Sequence, residues 1–131
     1  MPNLNCTTPE QSKVLIRLGL NAKTADCYWD YDVQKHEYYP MFMDDQYDDL
    51  CIPAWSLGAL LELTPKSISE EGTATVYAFS LFPTWSKTWI AIYETADHYV
   101  CESKEAETPL EASLDMLCWL MKEGYVGDAP K

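Results

Sequence analysis

The spacing of apolar and polar positions changes character along the chain. The first periodic run follows Thr7-Thr8-Pro9-Glu10-Gln11. Thr8 is placed to cap a helix, Pro9 suits the first helical position, and Gln11 completes a capping box. Val14, Leu15 and Leu18 then form one apolar face, and Gly19 is placed to stop the helix. Thr24 marks a second, shorter turn carrying Cys27, Tyr28 and Trp29. Residues 30–50 lose this periodicity: Tyr, Asp and Glu dominate and Pro40 interrupts the middle, which predicts a hairpin or an ordered irregular segment.

A helix is predicted to begin near Pro53 in CIPAWSLGALLELTP, with Leu57, Leu60, Leu61 and Trp55 as its buried stripe. Pro65 ends it, because the residue before a proline avoids the helical region. Gly58, inside that helix, is read as permitting close backbone packing. The period then shortens to two. In Thr73–Phe82, Val76, Ala78, Ser80 and Phe82 share one face, and Thr75, Tyr77, Phe79 and Leu81 share the other. Strands over Thr88–Glu94 and His98–Glu102 follow after short links, which favours an antiparallel meander.

The last element is a helix from Thr108-Pro109-Leu110-Glu111, with Leu114, Leu117, Cys118 and Met121 at helical spacing, Trp119 and Leu120 widening the face, and Gly124 at its end. The fold class predicted is α+β: a layered domain in which a three-stranded antiparallel meander packs against N-terminal, central and C-terminal helices. One domain is expected over 1–131, with an acidic and aromatic segment at 30–50 and a tail at 126–131.

Charge changes the picture more than size does. Among 131 residues, 21 Asp and Glu face nine Lys and Arg, for a formal net charge of -12. That disfavours direct binding to nucleic acid or an anionic membrane, both of which need clustered positive charge. It favours a basic protein partner, a bound cation, or plain solubility through self-repulsion. The five cysteines are widely spaced without a C-x-x-C pair, and the opening MPNLNCTTPEQ has neither a basic start nor an apolar run. A reduced, cytoplasmic protein is therefore expected, with no membrane span.

Candidate chemistry concentrates in residues 26–49, where Asp26, Asp30, Asp32, Glu37, Asp44, Asp45, Asp48 and Asp49 face a single Lys35. In MFMDDQYDDLC an EF-hand loop starting at Asp44 would put Gln46 at position 3, Asp48 at 5, Asp49 where glycine is needed, and Trp55 where glutamate is needed. The calcium-loop spacing fails, no metal ligand set is assigned, and a looser carboxylate site stays open. The same charges also suit imitation of a phosphate array that attracts a nucleic-acid-binding protein, or a solvated face whose rings pack inward. Catalysis finds little support. The histidines are His36 and His98; His98 lies beside Asp97 in a turn, and Cys101, three residues on, would point to the opposite face of a strand. No metalloprotease, phosphate-loop or nucleophile-elbow motif is present, so no catalytic residue or cofactor is assigned, and a small cation-dependent enzyme ranks last.

The segments EQSKVLIRLGLNAKTADCYW, IPAWSLGALLEL and ETPLEASLDMLCWLMKEGYV resemble those of small uncharacterised phage and prophage proteins of gut Bacteroidetes. Residues 53–124 are also similar to the phage ABA-sandwich type, in which sheet and helices form layers. The resemblance implies a layered fold and an accessory or anti-defence role, and it supplies no catalytic residues. The function expected is that of a non-enzymatic acidic accessory protein acting by protein binding. Trp29, Tyr31, Asp44, Asp45, Tyr47, Asp48 and Asp49 are the expected contact surface, and the alternative is a nucleic-acid mimic that inhibits a basic nuclease or similar protein.

Overall fold

The computed structural model describes residues 5–126. Its elements run α1 (Pro9–Arg17), a single 3-10 turn (Ala22–Thr24), β1 (Cys27–Asp32), β2 (Glu37–Phe42), β3 (Ile52–Ala54), α2 (Leu57–Leu63), β4 (Ser67–Ser69), β5 (Val76–Pro83), β6 (Trp89–Glu94), β7 (Val100–Ala106) and α3 (Pro109–Lys122). The architecture is α+β, with helices layered on antiparallel sheets. The meander β5-β6-β7 is present and gains β4 at its edge; a second sheet has the order β2-β1-β3. The tail expected over 126–131 lies outside the described residues apart from Val126.

Local chemistry sets the helix ends. Thr8 accepts the Gln11 N–H, and the Gln11 side chain accepts the Thr8 N–H, so the predicted capping box forms. At Thr108 only half of such a box forms: the hydroxyl accepts the Glu111 N–H and itself donates to the Glu111 carboxylate. Gly19 (φ 101°) and Gly124 (φ 83°) adopt the left-handed conformation. Each donates to the carbonyl three residues back, and the following residue, Leu20 or Tyr125, donates five residues back. That is the paired Schellman closure, and it requires a residue that tolerates positive φ.

In the larger sheet, alternation along β5 sets which face meets the core. On β5, Tyr77, Phe79 and Leu81 pack on the main core, while Val76, Ala78 and Ser80 face outward. Ala91 and Tyr93 on β6 continue the inner face, and Tyr93 is held by donating its hydroxyl to the Pro65 carbonyl at 2.6 Å. α3 lies between this sheet and α2, so most of its surface is buried, including Leu110, Leu114, Met116, Leu117 and Leu120.

Several sequence expectations are corrected. The turn expected from Thr24 is instead capped by Asn21, and Cys27, Tyr28 and Trp29 begin β1. Pro53 does not start a helix: it sits in β3 opposite Tyr28, and the true cap is Ser56, whose hydroxyl accepts the Ala59 N–H. Pro53 on β3 and Pro40 on β2 occupy the two edge strands, where a missing N–H need not break the sheet. Val14 faces outward; Ser12 and Leu15 are the buried positions of α1. A side chain added at Gly58 would meet only the Ser56 hydroxyl, at an ordinary 3.7 Å, so this glycine marks no close backbone packing. The third strand of the meander starts at Val100 and runs on to Ala106.

One threonine ties α1 to β1 and to the residue that follows β3. Thr7 donates its N–H to the Trp55 carbonyl, its hydroxyl accepts the Trp55 N–H at 3.0 Å and bonds Ser12 at 2.8 Å, and its carbonyl accepts the Trp29 indole N–H. Thr7, Ser12 and Trp55 are fully buried. Beside this latch Cys6, Cys27 and Ala54 form a small apolar cluster with Trp29.

Candidate functional site

The acidic segment forms an organised surface built on the β1–β2 hairpin and the loop to β3. Asp32 holds the hairpin turn: one carboxylate oxygen accepts the Gln34 and Lys35 N–H groups. His36 adopts φ 56° at the end of that turn. The strand register places Tyr31 opposite Tyr38 and Asp30 opposite Tyr39. The first pair stacks edge-to-face at 5.1 Å, with both rings partly exposed. In the second pair the Tyr39 hydroxyl donates to Asp30 at 3.1 Å.

The loop after β2 is folded by its aspartates. Asp44 accepts the Gln46 N–H at 2.9 Å and the buried Tyr28 hydroxyl at 2.6 Å. Asp48 accepts the Leu50 N–H at 2.8 Å, and its carboxylate also receives the Cys51 thiol at 3.6 Å. The same sulfur lies 3.9 Å from Asp30. Asx-type turns of this kind are a common reason for aspartate in a loop. Here they also gather Asp30, Asp44 and Asp48 around Tyr28, Tyr39 and Cys51. Tyr47 meets Tyr28 edge-to-face at 5.4 Å and closes the group.

Among the residues expected to make contact, the structure therefore brings together Asp44, Tyr47 and Asp48. Tyr31 lies on the same hairpin, paired with Tyr38. Asp45 and Asp49 are exposed, with no side-chain hydrogen bond among the described residues. Trp29 is spent on structure: its indole N–H binds Thr7, and its ring packs on the Cys6 cluster. Asp26 also serves the fold, accepting both the N–H and the hydroxyl of Ser56. Sequence reading counted Asp30 among the acidic groups but left it and Tyr39 out of the contact surface, and it missed Tyr28 and Cys51 as partners of the aspartates. The one available signal was the alternation of tyrosine and aspartate in YWDYD, which places Tyr28 and Asp30 on one face once the segment is taken as a strand.

Electrostatics assign the roles. Burial pushes the Tyr28 phenol up, and the Asp44 carboxylate it binds pushes further in the same direction. The Tyr39 phenol rises first through its bond to Asp30. Burial raises the Cys51 thiol, partly offset by the Asp48 backbone and reinforced by the Asp30 charge. These groups remain protonated donors at neutral pH, and the negative charge of the surface resides in its carboxylates. Among the described residues the ion pairs are His98–Glu94 at 3.5 Å and Lys104–Glu102 at 3.8 Å, and neither involves residues 26–49.

His98 stands exposed at the β6–β7 turn with φ 68° and contacts Glu94 rather than Asp97. Both histidines are thus turn residues at hairpin tips. Among the described residues no three His, Cys, Asp or Glu side chains are grouped to hold a metal ion. No described helix is long and apolar enough to cross a membrane. No family of known sequences, no curated protein and no solved structure matches the chain, so the functional reading rests on its own geometry.

Proposed function

We propose that this is a non-enzymatic acidic accessory protein, of phage or mobile-element origin and cytoplasmic, that acts by binding a basic surface of another protein. The contact surface is the β1–β2 hairpin with the 43–51 loop: Asp44, Asp45, Asp48 and Asp49 supply charge, and Tyr31, Tyr38 and Tyr47 supply ring area. The observation that carries this reading is the bracing of Asp30, Asp44 and Asp48 by Tyr39, Tyr28 and Cys51, without a cation from the described residues to neutralise them. Carboxylates held in place by hydrogen bonds have less freedom to lose on docking than mobile ones. Electrostatic complementarity of this sort governs encounter and partner choice.

The test is affinity capture from bacterial lysate at low and high salt, with the native chain and with Asp45→Asn/Asp49→Asn. Those two side chains support no described hydrogen bond, so the variant keeps the fold. A basic partner that is released as salt rises, and is captured about tenfold less by the variant, supports the reading. A partner held equally by both proteins at high salt rejects it. Displacement of the captured partner by duplex DNA would assign the surface to nucleic-acid mimicry.

A further inference from the structure

α1 and β3 lie side by side, and an open groove of about 590 Å³ runs between them, lined by Lys13, Ile16, Arg17, Cys51, Ile52 and Pro53. Its volume falls within the roughly 300–1,000 Å³ of small-molecule sites. Its chemistry is the reverse of the molecule's. Lys13 and Arg17 stand four positions apart on α1 and so share one face. Neither has a carboxylate within ion-pair distance among the described residues, although the chain holds 21 Asp and Glu. Beside them Ile16 is 40% exposed, because Ser12 and Leu15 take the buried positions of this helix. Ile52 and Pro53 form the facing wall.

The polar groups also orient an occupant. The Cys51 thiol at the groove's border is turned toward Asp48 and Asp30, so negative charge lies behind the β3 side. Positive charge lies on the α1 side. A ligand with one acidic end and an apolar body fits this pairing, whereas a second charge on the body would rest against apolar Ile52 and Pro53 and a cation would meet like charge on α1. The size of the groove suits a single small molecule rather than a docked helix, whose diameter alone is about 10 Å. Cys51 is buried with its sulfur turned to Asp48 and Asp30, so the ligand is held non-covalently.

We propose that the α1–β3 groove binds a small amphipathic monoanion, an aliphatic or aryl carboxylate or sulfonate. Its acidic group lies between Lys13 and Arg17, and its body rests on Ile16, Ile52 and Pro53. The groove shares Cys51 with the acidic protein-binding surface, but the proposal does not rest on that surface binding a partner.

The test titrates the whole chain calorimetrically with decanoate, below its micelle concentration, and with the neutral analogue decanol. Two variants accompany it: Lys13→Glu/Arg17→Glu, which reverses the charge, and Ile16→Trp, which fills the groove. All the altered side chains are exposed, and circular dichroism confirms folding. The expected result is one decanoate per chain, weakened about tenfold or more by charge reversal and abolished by the tryptophan. Decanol binding should change less than about twofold on charge reversal, since its head carries no charge for Lys13 and Arg17 to hold. Absence of saturable decanoate binding, or equal affinity in all three proteins, overturns the proposal. So does a native dimer that charge reversal dissociates, because a second copy would then fill the groove.

Discussion

A single buried hydroxyl illustrates how residues here serve the fold. Among the described residues, Thr7 is the sole side-chain partner of the Trp55 N–H and of the Ser12 hydroxyl. Thr7→Val keeps the shape and removes the hydroxyl, leaving buried polar groups unsatisfied. Stability should fall by about 2 kcal/mol, while Thr7→Ser keeps most of it. Urea denaturation of the three proteins measures the difference. Nothing in TTPEQ announces this role, since the threonine next in line, Thr8, is the recognisable cap. Thr8, Thr108 and the stop glycines Gly19 and Gly124 were legible because their partners lie within a few positions. Thr7 was not, because its partners at residues 29 and 55 are distant in sequence. The acidic residues show the same division: their abundance was plain, but which of them close turns and which face solvent depends on the register of β1 with β2.

At the level of elements, α2 shows why its start was misplaced. Pro53 looks like a first helical residue, yet β1 recruits Ile52–Ala54 as an edge strand, and the helix waits for Ser56. That serine caps Ala59 and donates to Asp26, joining a seven-residue helix to the chain before β1. Ser56→Ala should lower stability by about 1–2 kcal/mol, the loss expected for an N-cap together with a charge-assisted bond. A fall in the urea midpoint with unchanged slope would establish it; an unchanged midpoint would show that the cap contributes nothing. The meander itself was legible from alternation over β5 and from the short turns on either side of β6. β3 and β4, each three residues long, are too short to show a period.

For the whole molecule, the α+β class and the helix order followed from sequence, whereas the separate β2-β1-β3 sheet needed long-range pairing that no local pattern records. Burial also sets a pH limit on the assembled protein. The Tyr28 and Tyr93 phenols are pushed above their ordinary value of 10 by burial, with Asp44 adding to Tyr28. The folded state therefore prefers them protonated. Their stabilisation is complete below about pH 10 and is lost as pH rises from there through their folded-state values. Alkaline titration should show some of the nine tyrosines ionising only as circular dichroism reports unfolding. Titration of every tyrosine as a free phenol in an intact fold would contradict this. The Thr7 latch has a consequence in time as well. It pairs residues 48 positions apart, and β3 returns to β1 only after the whole 43–51 loop has been spanned. Contacts of such separation form late, because the loop entropy must be overcome before they repay it. The contacts that brace Asp30, Asp44 and Asp48 span no more than 21 positions, so the hairpin and its loop take shape before the Thr7 latch closes.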